Sequence, residues 1–260
     1  MKRRTVLAGA AGAAGLAAQS GPDPGKAHYI ELRFYRLRNG SQARRVNDFL
    51  SQAYLPLTRR VGAGPAGFFT NMIGPDSPSI LAVTGYASLA ALEAAREKQE
   101  ADAEFHKQAA DFGAAPATDP AYVRVETWLL RGIRSVPRIE PPPALPDRPP
   151  RIFELRIYES HNARAARAKI DMFDQAETAI FRRCGLLPVF FGRSLFGARQ
   201  PNLTYMVAYD DMAAREKAWD AFRNDPEWGK ISRRPGWTDA EIVTNISNSI
   251  LRPTPYSPIR

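Results

Sequence analysis

The sequence predicts an α+β fold built from two ferredoxin-like βαββαβ repeats, and three observations lead to this prediction. Residues 29–35 recur as residues 152–158, with Glu, Leu, Arg and Tyr at the same places. From there, roughly 24 of about 77 positions are identical at a constant offset of about 123 residues, well above chance. Between the copies, residues 137–150 are rich in proline, which favours an extended segment and excludes a helix. We therefore expect a first domain at 28–134, a linker at 135–150 and a second domain at 151–260.

Within each copy, the hydrophobic pattern predicts a strand, a helix, two strands, a second helix and a closing strand. In the first copy, apolar residues alternate over 29–35 and then recur at helical spacing over 43–61, where Gly62 is expected to end the helix. Two apolar strands flank a turn rich in Gly and Pro, and Ser88 is expected to cap the second helix. If the helices cover one face of each sheet, the two bare faces can meet as a dimeric-type α/β barrel within or between chains.

The first 27 residues are predicted to be a twin-arginine signal peptide and a short spacer. Arg3 and Arg4 precede a weakly hydrophobic Ala/Gly run that is too short to span a bilayer comfortably. A mitochondrial presequence is the alternative, because it is also rich in arginine and poor in acidic residues. We expect a protein that is periplasmic or secreted.

Composition excludes several classes of protein. The chain has 260 residues, a formal charge of +9, one cysteine (Cys184) and three scattered histidines, so we expect no disulfide framework and no metal site. Residues 62–67 match G-x-G-x-x-G, but they follow a helix and precede a strand, so the sequence predicts no nucleotide cofactor and no other cofactor. Lys and Arg are dispersed, so no nucleic-acid partner is expected, while association with a membrane surface and homo-oligomerisation stay open.

The two first strands supply the candidate ligand-binding residues. We expect their apolar residues to lie under the helices, which leaves the alternate polar residues facing the space between the sheets. Arginines there can hold a carboxylate or phosphate, and tyrosines can form a flat wall with a hydroxyl. With two tyrosines at later strand ends, the predicted site comprises Glu31, Arg33, Tyr35, Tyr86, Glu154, Arg156, Tyr158 and Tyr209. The alternative is that Glu31 with Arg33, and Glu154 with Arg156, form structural ion pairs.

These features resemble the NIPSNAP family of dimeric α/β-barrel proteins. The resemblance rests on the repeated E-L-R-x-Y strands, on paired arginines followed by glycine after the first helix, on the turn at residues 225–228 (DPEW) and on the proline-rich tail at 250–258. It covers both repeats and implies two tandem NIPSNAP domains. Members of the wider superfamily include cofactor-independent monooxygenases, haem-degrading enzymes and binding proteins. The resemblance therefore implies a fold but no set of catalytic residues.

Three functions are consistent with the sequence. The first is an exported protein of unassigned activity that binds a small organic ligand between its sheets. The second is a cofactor-independent oxygenase or isomerase acting on an aromatic or quinone-like substrate, and the third is a protein- or membrane-interaction module with a filled barrel. Catalysis predicts a carboxylate of raised pKa in a dry cavity, whereas a binding protein would show a cavity without such a base.

Overall fold

The computed structural model describes residues 26–144 and 149–260, so residues 1–25, most of the predicted signal peptide and spacer, lie outside the described part. Eight antiparallel strands form one closed barrel in the order β1-β3-β2-β8-β5-β7-β6-β4. The strands are β1 (Tyr29–Arg36), β2 (Ala66–Ile73), β3 (Ser79–Tyr86), β4 (Arg124–Gly132), β5 (Ile152–Glu159), β6 (Leu187–Phe196), β7 (Asn202–Tyr209) and β8 (Asn245–Pro253). The two repeats join where β2 pairs with β8 and where β4 pairs with β6. Closure within a single chain leaves the sheet without a free edge.

Helices cover the outside of the barrel. They are α1 (Ser41–Phe49), α2 (Leu55–Arg60), α3 (Leu89–Ala101), α4 (Ala103–Gln108), α5 (Ala110–Gly113), α6 (Ala163–Met172), α7 (Thr178–Cys184), α8 (Met212–Arg223), α9 (Pro226–Ile231) and α10 (Asp239–Ile242). The predicted Ser88 cap is confirmed, because its hydroxyl accepts a hydrogen bond from the Ala91 amide. Within the described residues, no helix is long and apolar enough to cross a membrane.

Both repeats place a single π-helical turn between the two parts of the first helix. These turns are Leu50–Tyr54 and Phe173–Glu177, which are equivalent positions in the duplicated sequence. The side chains around the first turn pack against the outer face of β1 and β3, and those around the second pack against β5 and β7. Each repeat thus has its own core between sheet and helices.

The interior of the barrel is apolar, and this corrects the predicted orientation of the first strands. Ile30, Leu32 and Phe34 lie inside the barrel with their counterparts Phe153, Leu155 and Ile157, rather than under the helices. The polar residues of both strands consequently face the helices: Glu31, Arg33, Tyr35, Glu154, Arg156 and Tyr158. The physical reason is the size of an eight-stranded barrel, whose interior is just wide enough for side chains to fill and offers charged groups no water.

One end of the barrel is plugged by two isoleucines. Ile139, from the segment predicted as linker, and Ile259, from the C-terminal tail, both belong to the interior core. Each packs beside a glycine, Gly85 and Gly67 respectively, whose missing side chain leaves room for the approach. Two backbone hydrogen bonds, from the Glu140 amide to Val189 and from the Thr254 amide to Phe68, fix these segments to the strand ends. The opposite end, where the β2–β3 and β6–β7 hairpins turn, is open.

Candidate ligand site at the barrel mouth

A cavity of about 210 Å³ lies at the open end of the barrel. Its floor consists of buried apolar side chains of the barrel interior, from both repeats: Phe34, Trp128, Leu155 and Ile157. Its rim is polar and includes Arg36, Asp76, Arg124, Glu126, Arg199, Ser247, Asn248 and Ser249. An apolar floor with a few polar groups at the opening is the usual composition of a small-molecule site.

The cavity arises from a difference between the two repeats. Trp128 pairs with Leu32 in β4 and β1, and Ser249 pairs with Leu155 in β8 and β5, so Trp128 and Ser249 are structural counterparts. The Trp128 ring lies directly against Gly197, where an added Cβ would come within 2.6 Å of it, and Ser249 lies against Gly74 in the same way. A hydroxymethyl group therefore stands where symmetry would place an indole, and space remains above Leu155 and Ile157.

The first repeat contributes a cluster of mutually ion-paired side chains to the rim of the cavity. Arg36 lies 3.3 Å from Asp76 and 3.2 Å from Glu126, and Arg124 lies 2.7 Å from Glu126. Partial burial alone would raise the pKa of Glu126, but hydrogen bonds from Arg36 and Arg124 lower it below its usual range. Glu126 is therefore held as a carboxylate and is a poor proton acceptor.

The second repeat contributes Arg199 at the tip of the β6–β7 hairpin. Its backbone has φ +61°, as that of its counterpart Asp76 has φ +57° in the β2–β3 hairpin. The Asn202 side-chain amide donates to the carbonyls of Ala198 and Arg199, which fixes the turn. The Arg199 guanidinium donates to the Ser247 hydroxyl at 2.7 Å across the mouth.

The predicted residues of the second repeat form one buried network outside the barrel. Glu154 is fully buried and accepts hydrogen bonds from Arg156 at 2.8 Å, from both Nε and Nη2 of Arg215 at 2.9 Å and from Tyr209 at 3.3 Å. Trp219 and Asn248 donate at 3.1 Å each. Burial alone would raise the pKa of Glu154, but hydrogen bonding and charge from Arg215 and Arg156 lower it to about 2.

Arginine and tyrosine extend this second network. The Arg156 guanidinium lies 4.6 Å from the Trp219 ring centroid and donates to the Tyr158 hydroxyl at 3.2 Å. Tyr205 in turn donates to the Tyr158 hydroxyl at 2.9 Å. Burial raises the pKa of Tyr205 well above its usual value, so it stays protonated and serves as a donor. The network therefore ties β5 and β7 to the covering helices.

The predicted residues of the first repeat form a smaller network in the equivalent place. Glu31 accepts hydrogen bonds from Arg96 of α3 and, at 3.3 Å, from Tyr86, and Arg33 lies 3.3 Å from it. Tyr35 interacts with Arg33 and is buried against the aromatic rings of Phe112 and Tyr122, and burial raises its pKa to about 12.

The ion-pair alternative for these residues matches the geometry. Arg33 and Arg156 each lie beside the glutamate two residues earlier, between sheet and helices. The Nε atoms of both arginines are nevertheless buried without a hydrogen-bond acceptor among the described residues. A role in ligand binding for the eight predicted residues thus stays a prediction, and none of the eight lines the cavity at the mouth.

The residues around the mouth were missed because the predicted site was confined to the polar residues of the first strands and to Tyr86 and Tyr209 at later strand ends. One signal was available: aligning the closing strands with an offset two residues smaller pairs Trp128 with Ser249. Within residues 26–144 and 149–260, no group of three or more His, Cys, Asp or Glu side chains is arranged to hold a metal ion.

Together these features define a closed α/β barrel with helices outside and a ligand-sized cavity at one end. Two solved structures whose names propose monooxygenases share this fold. The Lactobacillus acidophilus protein is 9% identical over 87% of this chain and 93% of its own, with a TM-score of 0.58. The Fusobacterium nucleatum protein is 7% identical over 88% and 93%, with a TM-score of 0.55.

The family follows from the sequence match. The NIPSNAP family model matches residues 30–118 and 153–258, one match in each repeat, and the chain belongs to the NIPSNAP family. An uncharacterised NIPSNAP-like domain protein from Burkholderia xenovorans is 23% identical over 42% of this chain and 89% of its own, with a TM-score of 0.38. Among curated proteins the sequence has no significant match.

Proposed function

We propose that this NIPSNAP-family protein binds a compact organic ligand in the cavity at the barrel mouth. One observation supports the proposal: among the described residues, apolar side chains fill the barrel interior, and at the mouth both repeats leave an open space with an apolar floor. At about 210 Å³ the cavity is smaller than the roughly 300–1,000 Å³ of drug-sized pockets, so a ligand of about one ring fits it. A barrel evolved only as an interaction surface has no need of this space.

The lowered pKa values of Glu126 and Glu154 favour ligand binding over base catalysis as the function of this protein. An oxygenase or isomerase that removes a proton from its substrate needs a carboxylate whose pKa is raised towards neutrality. At the mouth the pKa of Glu126 is lowered by Arg36 and Arg124, and in the outer network the pKa of Glu154 is about 2. The names of the two neighbouring structures suggest oxygenase chemistry, but at 9% and 7% identity they support the fold alone.

Native mass spectrometry of the protein purified from its own host tests the proposal. We expect a bound small molecule that Ser249→Trp removes, because the indole would lie against Gly74 as Trp128 lies against Gly197 and fill the cavity. Met72→Trp, which adds the same ring at an exposed position of β2 that does not line the cavity, is the control and retains the ligand. A ligand kept in full by folded Ser249→Trp would place binding elsewhere and refute the proposal.

We also propose that the protein is exported by the twin-arginine route to the periplasm or beyond. Support comes from Arg3 and Arg4 ahead of the short Ala/Gly segment. Replacing both arginines by lysine keeps the charge but removes the pairing that the pathway reads. We expect the variant to accumulate in the cytoplasmic fraction, whereas unchanged export would refute this proposal.

The element order of each half, with helices between the first two strands and between the third and fourth, supports assigning it as a ferredoxin-like unit.

For association with anionic membrane surfaces we propose the groove between β4, β6 and α6. There Arg131 and Arg193 are directly paired across the two strands, with Lys26 and Arg134 nearby. Like charges in such a pair repel, and a bound anion would relieve this. Sedimentation with anionic but not zwitterionic vesicles, reduced by Arg131→Gln, is the expected result.

A further inference from the structure

The charges at the two hairpin tips are reversed between the repeats. In the first repeat Asp76, at the tip of the β2–β3 hairpin, lies 3.3 Å from Arg36, the last residue of β1. In the second repeat Arg199 takes the place of Asp76, and Glu159, the last residue of β5, takes the place of Arg36. The strand registers confirm the equivalence, since Arg36 pairs with Ser79 and Glu159 pairs with Asn202. Symmetry would therefore predict an ion pair between Arg199 and Glu159.

This second ion pair is not formed. Glu159 accepts a hydrogen bond from the Asn245 amide at 2.8 Å, and Arg199 donates to the neutral Ser247 hydroxyl instead. Among the described residues, no carboxylate oxygen lies within 4.0 Å of the Arg199 guanidinium. Arg36 and Arg124, the other cations of the rim, are both paired with Asp76 and Glu126. Arg199 is thus an uncompensated cation at the edge of an apolar cavity.

We propose that the ligand of the mouth cavity is a compact aromatic or cyclic monocarboxylate whose carboxylate binds Arg199. This inference rests on the proposed function and names the class of its ligand. The rim has three cationic and two anionic side chains, so one negative charge on the ligand completes the balance. A guanidinium binds a carboxylate through two parallel hydrogen bonds, and the ring would contact Phe34, Trp128, Leu155 and Ile157 on the floor.

Isothermal titration of the full-length protein with benzoate, benzamide and benzylamine tests the inference, because the probes share one ring and differ in charge. We expect benzoate to bind at least about tenfold more tightly than benzamide, and benzylamine to bind most weakly. Arg199→Asn should abolish the preference for benzoate while leaving benzamide affinity unchanged, since asparagine tolerates the left-handed backbone at this position. Arg199→Lys should retain part of the preference.

Two further variants complete the experiment. Asp76→Asn, at the opposite hairpin tip, removes one of the two carboxylates that pair with Arg36 and should strengthen benzoate binding. Arg252→Gln makes the same change of charge as Arg199→Asn at an exposed residue of β8 that does not line the cavity, and should leave the preference intact. If all three probes bind equally and Ser249→Trp abolishes them equally, the mouth is a ligand site but the carboxylate inference is wrong. If none of the probes binds, or if Ser249→Trp does not weaken their binding, both the carboxylate inference and the proposed function are wrong.

Discussion

Glu154 shows how a buried charge can be structural in this fold. Five side chains donate six hydrogen bonds to it, and these donors come from β5, β7, β8 and α8. Its counterpart Glu31 is bound by Arg96 of α3. Arg96 aligns with Trp219 rather than with Arg215, whose own counterpart is Leu92. The two arginines therefore lie one helical turn apart when the repeats are aligned. Each repeat therefore keeps the glutamate and neutralises it by its own route. The sequence identified both glutamates but could not indicate these partners, which lie about 60 residues along the chain.

Replacing Glu154 by glutamine should destabilise the fold in a manner that depends on pH. The pKa of Glu154 falls from 4.5 to about 2 on folding, so its carboxylate contributes about 3 kcal/mol above pH 4.5 and loses this contribution as the pH falls towards 2. We expect urea denaturation to give a smaller free energy of unfolding for Glu154→Gln at pH 7 and a gap to the wild type that narrows below pH 4.5. The exposed substitution Glu97→Gln is the control. An equal difference in the free energy of unfolding between wild type and Glu154→Gln at pH 7 and at pH 3 would contradict the lowered pKa of Glu154.

Lys169 and Glu177 form a second buried pair, which occurs only in the second repeat. The Lys169 ammonium lies 3.1 Å from Glu177 and within 5.2 Å of the ring centroids of Tyr158 and Phe173. The first repeat has Val46 and Tyr54 at these positions. Lys169→Met should cost about 3–5 kcal/mol because it leaves Glu177 buried without its partner, whereas Lys169→Met with Glu177→Leu should recover most of that stability. A double variant no more stable than the single one would show that the pair itself contributes.

At the scale of elements, the first strands show why part of the site could not be predicted. Their alternation correctly predicted two faces, but both faces of β5 are buried, one in the barrel and one under helices. Alternation separates apolar from polar residues without saying which set lies inside. That the polar set faces the helices depends also on Arg96 and Arg215 of later helices, which supply the positive charges that pair with the glutamates. The order of elements and the Ser88 cap were predictable because they depend on local sequence.

The plugged end of the barrel gives a prediction about two segments outside the strands. Ile139 and Ile259 are almost fully buried in the interior core, so truncating either to alanine should cost about 2–4 kcal/mol. Ile246→Ala, at a partly exposed position of β8, is the matched control and should cost much less. Thermal unfolding measures all three. If Ile139→Ala costs no more than Ile246→Ala, the proline-rich segment does not help to close the barrel.

At the scale of the whole molecule, one barrel is shared by two repeats. The interior core combines residues of β1 to β4 with residues of β5 to β8, and the repeats join through the antiparallel pairs β2–β8 and β4–β6, each of which contains one register shift. The duplication made the fold class predictable. The cavity was not, because it results from particular differences between the copies, such as Trp128 in place of Ser249. Whether the chain also forms homo-oligomers stays a prediction.

Separating the repeats should expose this shared interior. We expect residues 26–144 and residues 149–260, expressed alone, to aggregate or to self-associate, because each half would present one face of the interior core to water. Co-expressed halves should copurify and unfold together. Size-exclusion chromatography with circular dichroism measures both results. Two halves that are each monomeric and cooperatively folded would contradict a shared core.

Two natural tryptophans make it possible to test whether the ligand binds at the barrel mouth. Trp128 lies on the cavity floor, whereas Trp219 donates to Glu154 in the outer network. Their indole N–H signals can be followed by NMR during titration with benzoate and assigned with tryptophan-to-phenylalanine variants. We predict that the Trp128 signal shifts with ligand concentration while the Trp219 signal stays in place. A shift of the Trp219 signal with the Trp128 signal unchanged would contradict binding at the mouth and would place the ligand in the network beneath the helices.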